Sequence, residues 1–233
     1  MEKEKTERIL LLIKFGKKKH LESLLKKGEL YFKSPKAFND IKKNNEEQGD
    51  ENEGAIWIKN LKDIKLTINH PDHGDFNFKS VPNKLMKLTQ FNHNYLTCSF
   101  YAITTKDLET SNILKIDKRM KMFGDHALII TNTKIFVESV MKSAEKLRLK
   151  MIATKVTYQD LSQEGHFEIN PFIKKVEHSH QKEYRMVIKN SSKPFLKLKV
   201  CKLGERGKII PTSRIEELTM EAKTKTTHQD DLF

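Results

Sequence analysis

The run Tyr95-Leu96-Thr97-Cys98-Ser99-Phe100-Tyr101 carries apolar or small side chains throughout, with no alternation between a wet and a dry face. Successive residues of a strand point to opposite faces, so such a run needs cover on both sides. It predicts a central strand, extending to Ile103, in a sheet flanked above and below.

The rest of the chain supplies the neighbours. Arg8 to Phe15 is a compact apolar segment that reads as a strand. Gly16 and the helical spacing of Leu21, Leu24 and Leu25 then predict a helix that Gly28 stops. Strands are predicted at 29–33, 55–58, 64–68, 84–91, 126–131, 151–158, 184–188 and 195–200. A helix is predicted from a cap at Asn132 or Thr133 to about Arg148, burying Ile135, Phe136, Val140 and Leu147, with a short basic helix over 115–122. Residues 160–176 read as irregular with a helical turn or two. Many short strands with few helices, not in regular alternation, predict an α+β fold. A single domain over 1–220 is expected, with an acidic solvated loop at 44–54 and a flexible tail at 221–233.

Of the 233 residues 37% are hydrophobic, enough for a core, and the formal net charge is +13. Five acids and no base lie between Glu46 and Glu53, which leaves the remainder at +18. That excess suits a polyanionic partner such as nucleic acid. Lysine dominates it, since arginine occurs only at positions 8, 119, 148, 185, 206 and 214. No apolar stretch reaches the roughly 20 residues that span a bilayer, and Ile9 to Ile13 is short for a signal peptide, so a cytoplasmic protein without a membrane partner is expected. Cys98 and Cys201 are too few for a disulfide scaffold, and reduced thiols are expected. His70, His73, His178 and His180 match no zinc spacing, and no metal is expected.

The segment Gln181-Lys182-Glu183-Tyr184-Arg185 holds the chemistry-bearing pair. On a strand, Gln181 and Glu183 would project side by side. A carboxylate beside an amide can stabilise a developing oxocarbenium ion while the amide orients an incoming group.

A basic residue on the first strand (Lys14), a hydroxyl-bearing central strand (Thr97, Ser99) and a late Gln181-x-Glu183, in that order, resemble the ADP-ribosyltransferase superfamily in its arginine/serine/glutamate branch. The resemblance implies a split β-sheet core and NAD as substrate. It assigns catalysis to Glu183, on the nicotinamide ribose, and to Gln181, on the acceptor. It assigns NAD binding to Lys14, Phe15, Thr97, Ser99 and Tyr101, with Tyr95, Phe100 or Tyr101 stacking on nicotinamide. It further implies a bacterial toxin or phage-defence effector that modifies a nucleic acid, RNA favoured, or a protein, and an antitoxin or regulatory partner. Lysine at position 14 departs from the family's arginine or histidine and loses the planar fork. The segments Pro35-Lys36-Ala37-Phe38-Asn39-Asp40, Cys98-Ser99-Phe100 and Glu183-Tyr184-Arg185 also resemble a widespread bacterial domain of unknown function, with Asn39 and Asp40 at the pocket edge. Two alternatives stand beside this reading. One is a ribonuclease toxin using Arg119 and His126, and the other a non-catalytic basic module that binds nucleic acid.

Overall fold

The structure is a computed structural model that describes residues 7–37, 49–62, 64–79, 84–110, 113–218 and 220–221. Asn39, Asp40, Glu46, Glu47 and nearly all of the expected tail lie outside these residues. In chain order the elements are β1 (Ile9–Gly16), α1 (Lys18–Lys27), β2 (Glu29–Lys33), β3 (Ala55–Leu61), β4 (Lys65–His70), β5 (Gly74–Lys79), β6 (Met86–Phe91) and β7 (Tyr95–Thr104). Then come α2 (Thr105–Thr110), β8 (Ile113–Leu114), β9 (His126–Ile130), α3 (Thr133–Lys146), β10 (Met151–Lys155), β11 (Thr157–Gln159), β12 (Gly165–Glu168) and β13 (Ile173–Lys175). The last are β14 (Glu183–Lys189), β15 (Phe195–Lys199), β16 (Gly207–Pro211) and β17 (Met220–Glu221).

The fold is α+β. Its main sheet runs β10-β14-β7-β1-β9-β16, with β2 and β15 attached beside β7. All of its pairings are antiparallel. As its composition demands, β7 is central and buried along nearly its whole length. Side chains alternate between two apolar layers. Leu12, Leu128, Phe100 and Met186 face one layer, under α1 and α3. Ile13, Tyr101, Ile103 and Ile129 face the other, closed by Ile116 and by Met120 and Ile215 from short 3-10 turns.

Local chemistry explains the helix ends. Gly28 takes the left-handed conformation, φ 66°, and its N–H closes on Leu24. Lys26 and Lys27 occupy the negative end of the α1 dipole. The start of α1 has no side-chain cap of its own, and the Lys18 N–H donates instead to Asp125, 3.1 Å away. Asn132 caps α3 through its Oδ1 and the Ile135 N–H.

Several expectations need correction. The buried stripe of α3 is Phe136, Val140 and Ala144, while Ile135 and Leu147 are exposed at 42% and 56%. The stripe is set by the i, i+4 row that meets the sheet rather than by side-chain size. The strand expected over 151–158 is two strands, broken at buried Val156. Residues 160–176 hold β12 and β13, which pair with β3 and β11. The basic helix is a 3-10 turn, Lys118–Phe123. Nor is the described part of the acidic loop solvated throughout: Asp50, Asn52 and Glu53 are buried at 5–6% exposure, while Glu51 stays exposed.

The 3-10 turn is seated against β1 through Gly124. A Cβ there would stand 2.5–2.6 Å from the Gly16 backbone, where no flexible atom can yield. Gly124→Ala is expected to destabilise the protein by about 1–3 kcal/mol, in line with overpacked sites, measured by urea unfolding. Unchanged stability would show that this contact does not anchor the turn.

A candidate active-site cleft where the central sheet opens

Strand β1 runs beside β7 only from Ile9 to Ile13, which pair with Thr104 to Tyr101. Beyond Ile13 it stays with β9 alone, while β2 meets β7 at a single position, Lys33 opposite Thr97. The edge of β7 is therefore open between Thr97 and Tyr101. Lys14 fills part of that opening: its Nζ donates to the Ser99 carbonyl oxygen at 2.6 Å and lies 5.0 Å from the centre of the Phe100 ring. The cleft there has a volume of about 550 Å³, within the range of small-molecule sites.

All seven residues assigned from the sequence line this cleft: Lys14, Phe15, Thr97, Ser99, Tyr101, Gln181 and Glu183. They do not meet it alike. Thr97, Tyr101, Gln181 and Glu183 are nearly enclosed, whereas Lys14, Phe15 and Ser99 are partly open. Tyr101 packs edge-on against Phe15, with centroids 6.4 Å apart, and belongs to the apolar layer. Phe100 stands edge-on to Phe136 in the opposite layer. Tyr95 is buried and is not among the lining residues; burial raises its phenol pKa. Burial likewise pushes the Cys98 thiol up, which makes it a poor nucleophile.

Gln181 and Glu183 come together, but not as neighbours on a strand. Gln181 ends a 3-10 turn, Lys182 is left-handed at φ 39°, and the strand begins only at Glu183. The link is Lys174 of β13, whose Nζ donates to Gln181 Oε1 at 2.7 Å and to Glu183 Oε2 at 3.3 Å. The His178 ring nitrogen Nδ1 lies 3.2 Å from the Gln181 amide. Lys174 carries no motif signal, because it is seven residues before Gln181 on another strand.

Arg185 organises the floor. Its Nε donates to Glu183 Oε1 at 2.6 Å, and its two terminal nitrogens donate to Glu53 Oε1 and Oε2 at 2.9 and 3.0 Å. A further N–H donates to the Pro171 carbonyl at 2.6 Å. With Arg185 at 3% exposure this is a fully desolvated network. Glu53 is thus an internal counter-charge, while buried Asp50 accepts the Asn52 N–H within the turn at 2.9 Å. One sequence signal could have found the counter-charge: an arginine two residues after Glu183, on the same strand face and followed by Met-Val-Ile, must bury its guanidinium against carboxylates.

The two glutamates respond to burial differently. Desolvation opposes ionisation of Glu183, but Arg185, Lys174 and the Ser99 hydroxyl overcome it and hold the carboxyl well below its ordinary range. Desolvation dominates at Glu53, aided by nearby Asp50 and Glu183, and raises its pKa despite Arg185.

Two other groups of residues sit away from this floor. Arg119 lies on the 3-10 turn with its guanidinium on Asp117, and His126 opens β9 beyond Gly124, so one helix does not carry both. Among the described residues no group of three or more His, Cys, Asp or Glu could hold a metal ion, and no helix is long and apolar enough to cross a membrane. Comparison of the chain with family models, curated proteins and solved structures finds no match in any of the three.

The opposed shifts give opposite pH signatures. Glu183, depressed on folding, stabilises above the ordinary glutamate value of 4.5, and that contribution is lost as pH falls through it toward the folded pKa. Glu53, raised on folding, contributes stability below 4.5 that is lost as pH rises through its folded pKa. Relative to wild type, Glu183→Gln should therefore become more destabilised between pH 3 and 5, and Glu53→Gln less destabilised above pH 4.5. Urea midpoints across that range test this, and slopes of the same sign would contradict it.

Proposed function

We propose that the chain is an NAD-dependent ADP-ribosyltransferase whose acceptor is a nucleic acid, RNA foremost, or a protein. The observation that carries this reading is that Lys14, Ser99 and Glu183, from three strands far apart in sequence, face one cleft where β1 and β7 part. A sheet opened at that point supports the split-sheet architecture that the motif order implies.

In the proposed reaction the bond from the nicotinamide nitrogen to ribose C1′ breaks and nicotinamide leaves with the electron pair. The acceptor then bonds to C1′ and releases its proton to solvent. Glu183 stands as a fixed anion beside the oxocarbenium charge that develops between these events, and it needs no reorganisation to stabilise it. A carboxylate offers about four acceptor positions. Arg185, Lys174 and Ser99 use three of them, and the remaining one suits a ribose hydroxyl. Gln181, its carbonyl held by Lys174 and its amide beside the His178 ring, is the group assigned to the acceptor. Lys14 offers a compact positive charge to the phosphates, without the bidentate geometry of arginine.

The test incubates the protein with adenylate-labelled NAD and separate RNA, DNA and cell-protein pools. Label transfer and nicotinamide release are expected with at least one pool. Glu183→Gln should lower the rate by about 100-fold or more, the scale of removing a preorganised electrostatic partner. Ser99→Ala leaves the ion pairs in place and should also lower kcat. Folded protein that releases no nicotinamide with any pool would refute the proposal, as would a Glu183→Gln variant of undiminished rate.

A further inference from the structure

The ribbon formed by β2 and β15 has two unlike faces. Leu30, Phe32, Leu196 and Leu198 turn into the core, so strand alternation sends Tyr31, Lys33, Phe195, Lys197 and Lys199 to the other side. Phe195 is 60% exposed and Tyr31 36%. The register sets each ring opposite a lysine, Phe195 against Lys33 and Tyr31 against Lys197. The Tyr31 ring is braced by the Lys197 ammonium, 5.9 Å from its centre, and by His20, edge-on at 6.2 Å. Glu29, the acid of this ribbon, is engaged by Ser23 and Lys197. Tyr31 and Lys33 also line the mouth of the cleft, beside Lys17 at the start of α1.

We propose that this face binds single-stranded nucleic acid and leads it into the cleft. Aromatic side chains accept base stacking whatever the base, and interleaved lysines neutralise the phosphates between them. Tyr31 and Phe195 are diagonal cross-strand neighbours, with backbones ~7–8 Å apart, so successive bases of one strand can stack on them. A duplex keeps its base faces hidden and offers these rings nothing to stack on. A protein partner fits the face less well, because lysine is depleted in protein interfaces. The inference rests on the transferase reading only where it makes the bound strand the acceptor; the binding itself does not need NAD.

Fluorescence anisotropy without NAD tests it, using oligo(U), oligo(dT) and a duplex, each about 12 nucleotides long and within the usual site sizes. Either single strand should bind more tightly than the duplex. Tyr31→Ala and Phe195→Ala should each weaken single-strand binding by roughly 5- to 100-fold. Lys33→Gln and Lys199→Gln should each reduce the slope of log K against log salt by about 0.7. These side chains are exposed, so the variants retain the core. The proposal is overturned if the duplex binds as tightly, if the Tyr31→Ala/Phe195→Ala double variant keeps full affinity, or if neither strand binds at low salt. Failure here with NAD turnover intact would leave the transferase reading standing. Binding without turnover would leave the ribbon standing and remove that reading.

Discussion

One buried guanidinium holds the functional end of this protein together. Arg185 reaches Glu53 from the turn before β3, the carbonyl of Pro171 from the segment between β12 and β13, and Glu183 two residues before it on its own strand. The guanidinium could not be buried ionised without these partners, because desolvating a lone charge costs several kcal/mol. Together they tie the three-stranded sheet β12-β3-β6 to the main sheet and form the floor of the cleft. A network of this kind does less to raise stability than an apolar core of equal volume; we read its value as a fixed geometry for Glu183 and, through Lys174, for Gln181.

The second constraint is the parting of β1 from β7. A strand edge left open inside a sheet exposes carbonyl oxygens that need donors. Lys14 answers for Ser99, which gives the first-strand cation a structural duty alongside its proposed place near phosphate. An ammonium suits both, since it can point its charge at one carbonyl and still offer protons to a ligand. The cleft lining then continues onto the lysine- and tyrosine-bearing face of β2 through Tyr31 and Lys33.

Much of this was legible in the sequence, and the reasons are local. The β7 run has no polar face, so it could only be central. Gly28 marks the end of α1 because only glycine fits that left-handed turn cheaply, and the first β–α–β unit follows from it. The seven assigned cleft residues were placed by motif order, and all of them line one cavity. What was missed depends on partners remote in sequence. β12 and β13 are four and three residues long and owe their form to β3 and β11. The acids at 50 and 53 looked solvated because Arg185, more than 130 positions later, is what buries Glu53. Ile135 and Leu147 lost the core face of α3 to the smaller Ala144, since the sheet selects a row rather than the largest side chains. Gln181 and Glu183 converge through Lys174, which no periodicity could have linked to them.

The claim that Arg185 and Glu53 act as one unit is open to direct measurement by a double-mutant cycle in urea at neutral pH, using Arg185→Met, Glu53→Gln and their combination. Breaking the pair from the arginine side should cost about 3–5 kcal/mol. The double variant should recover at least about 1 kcal/mol relative to the sum of the singles, as expected for contacting partners. Additivity within about 0.5 kcal/mol would mean that the two residues are buried independently, and that the cleft floor is not built on their pairing.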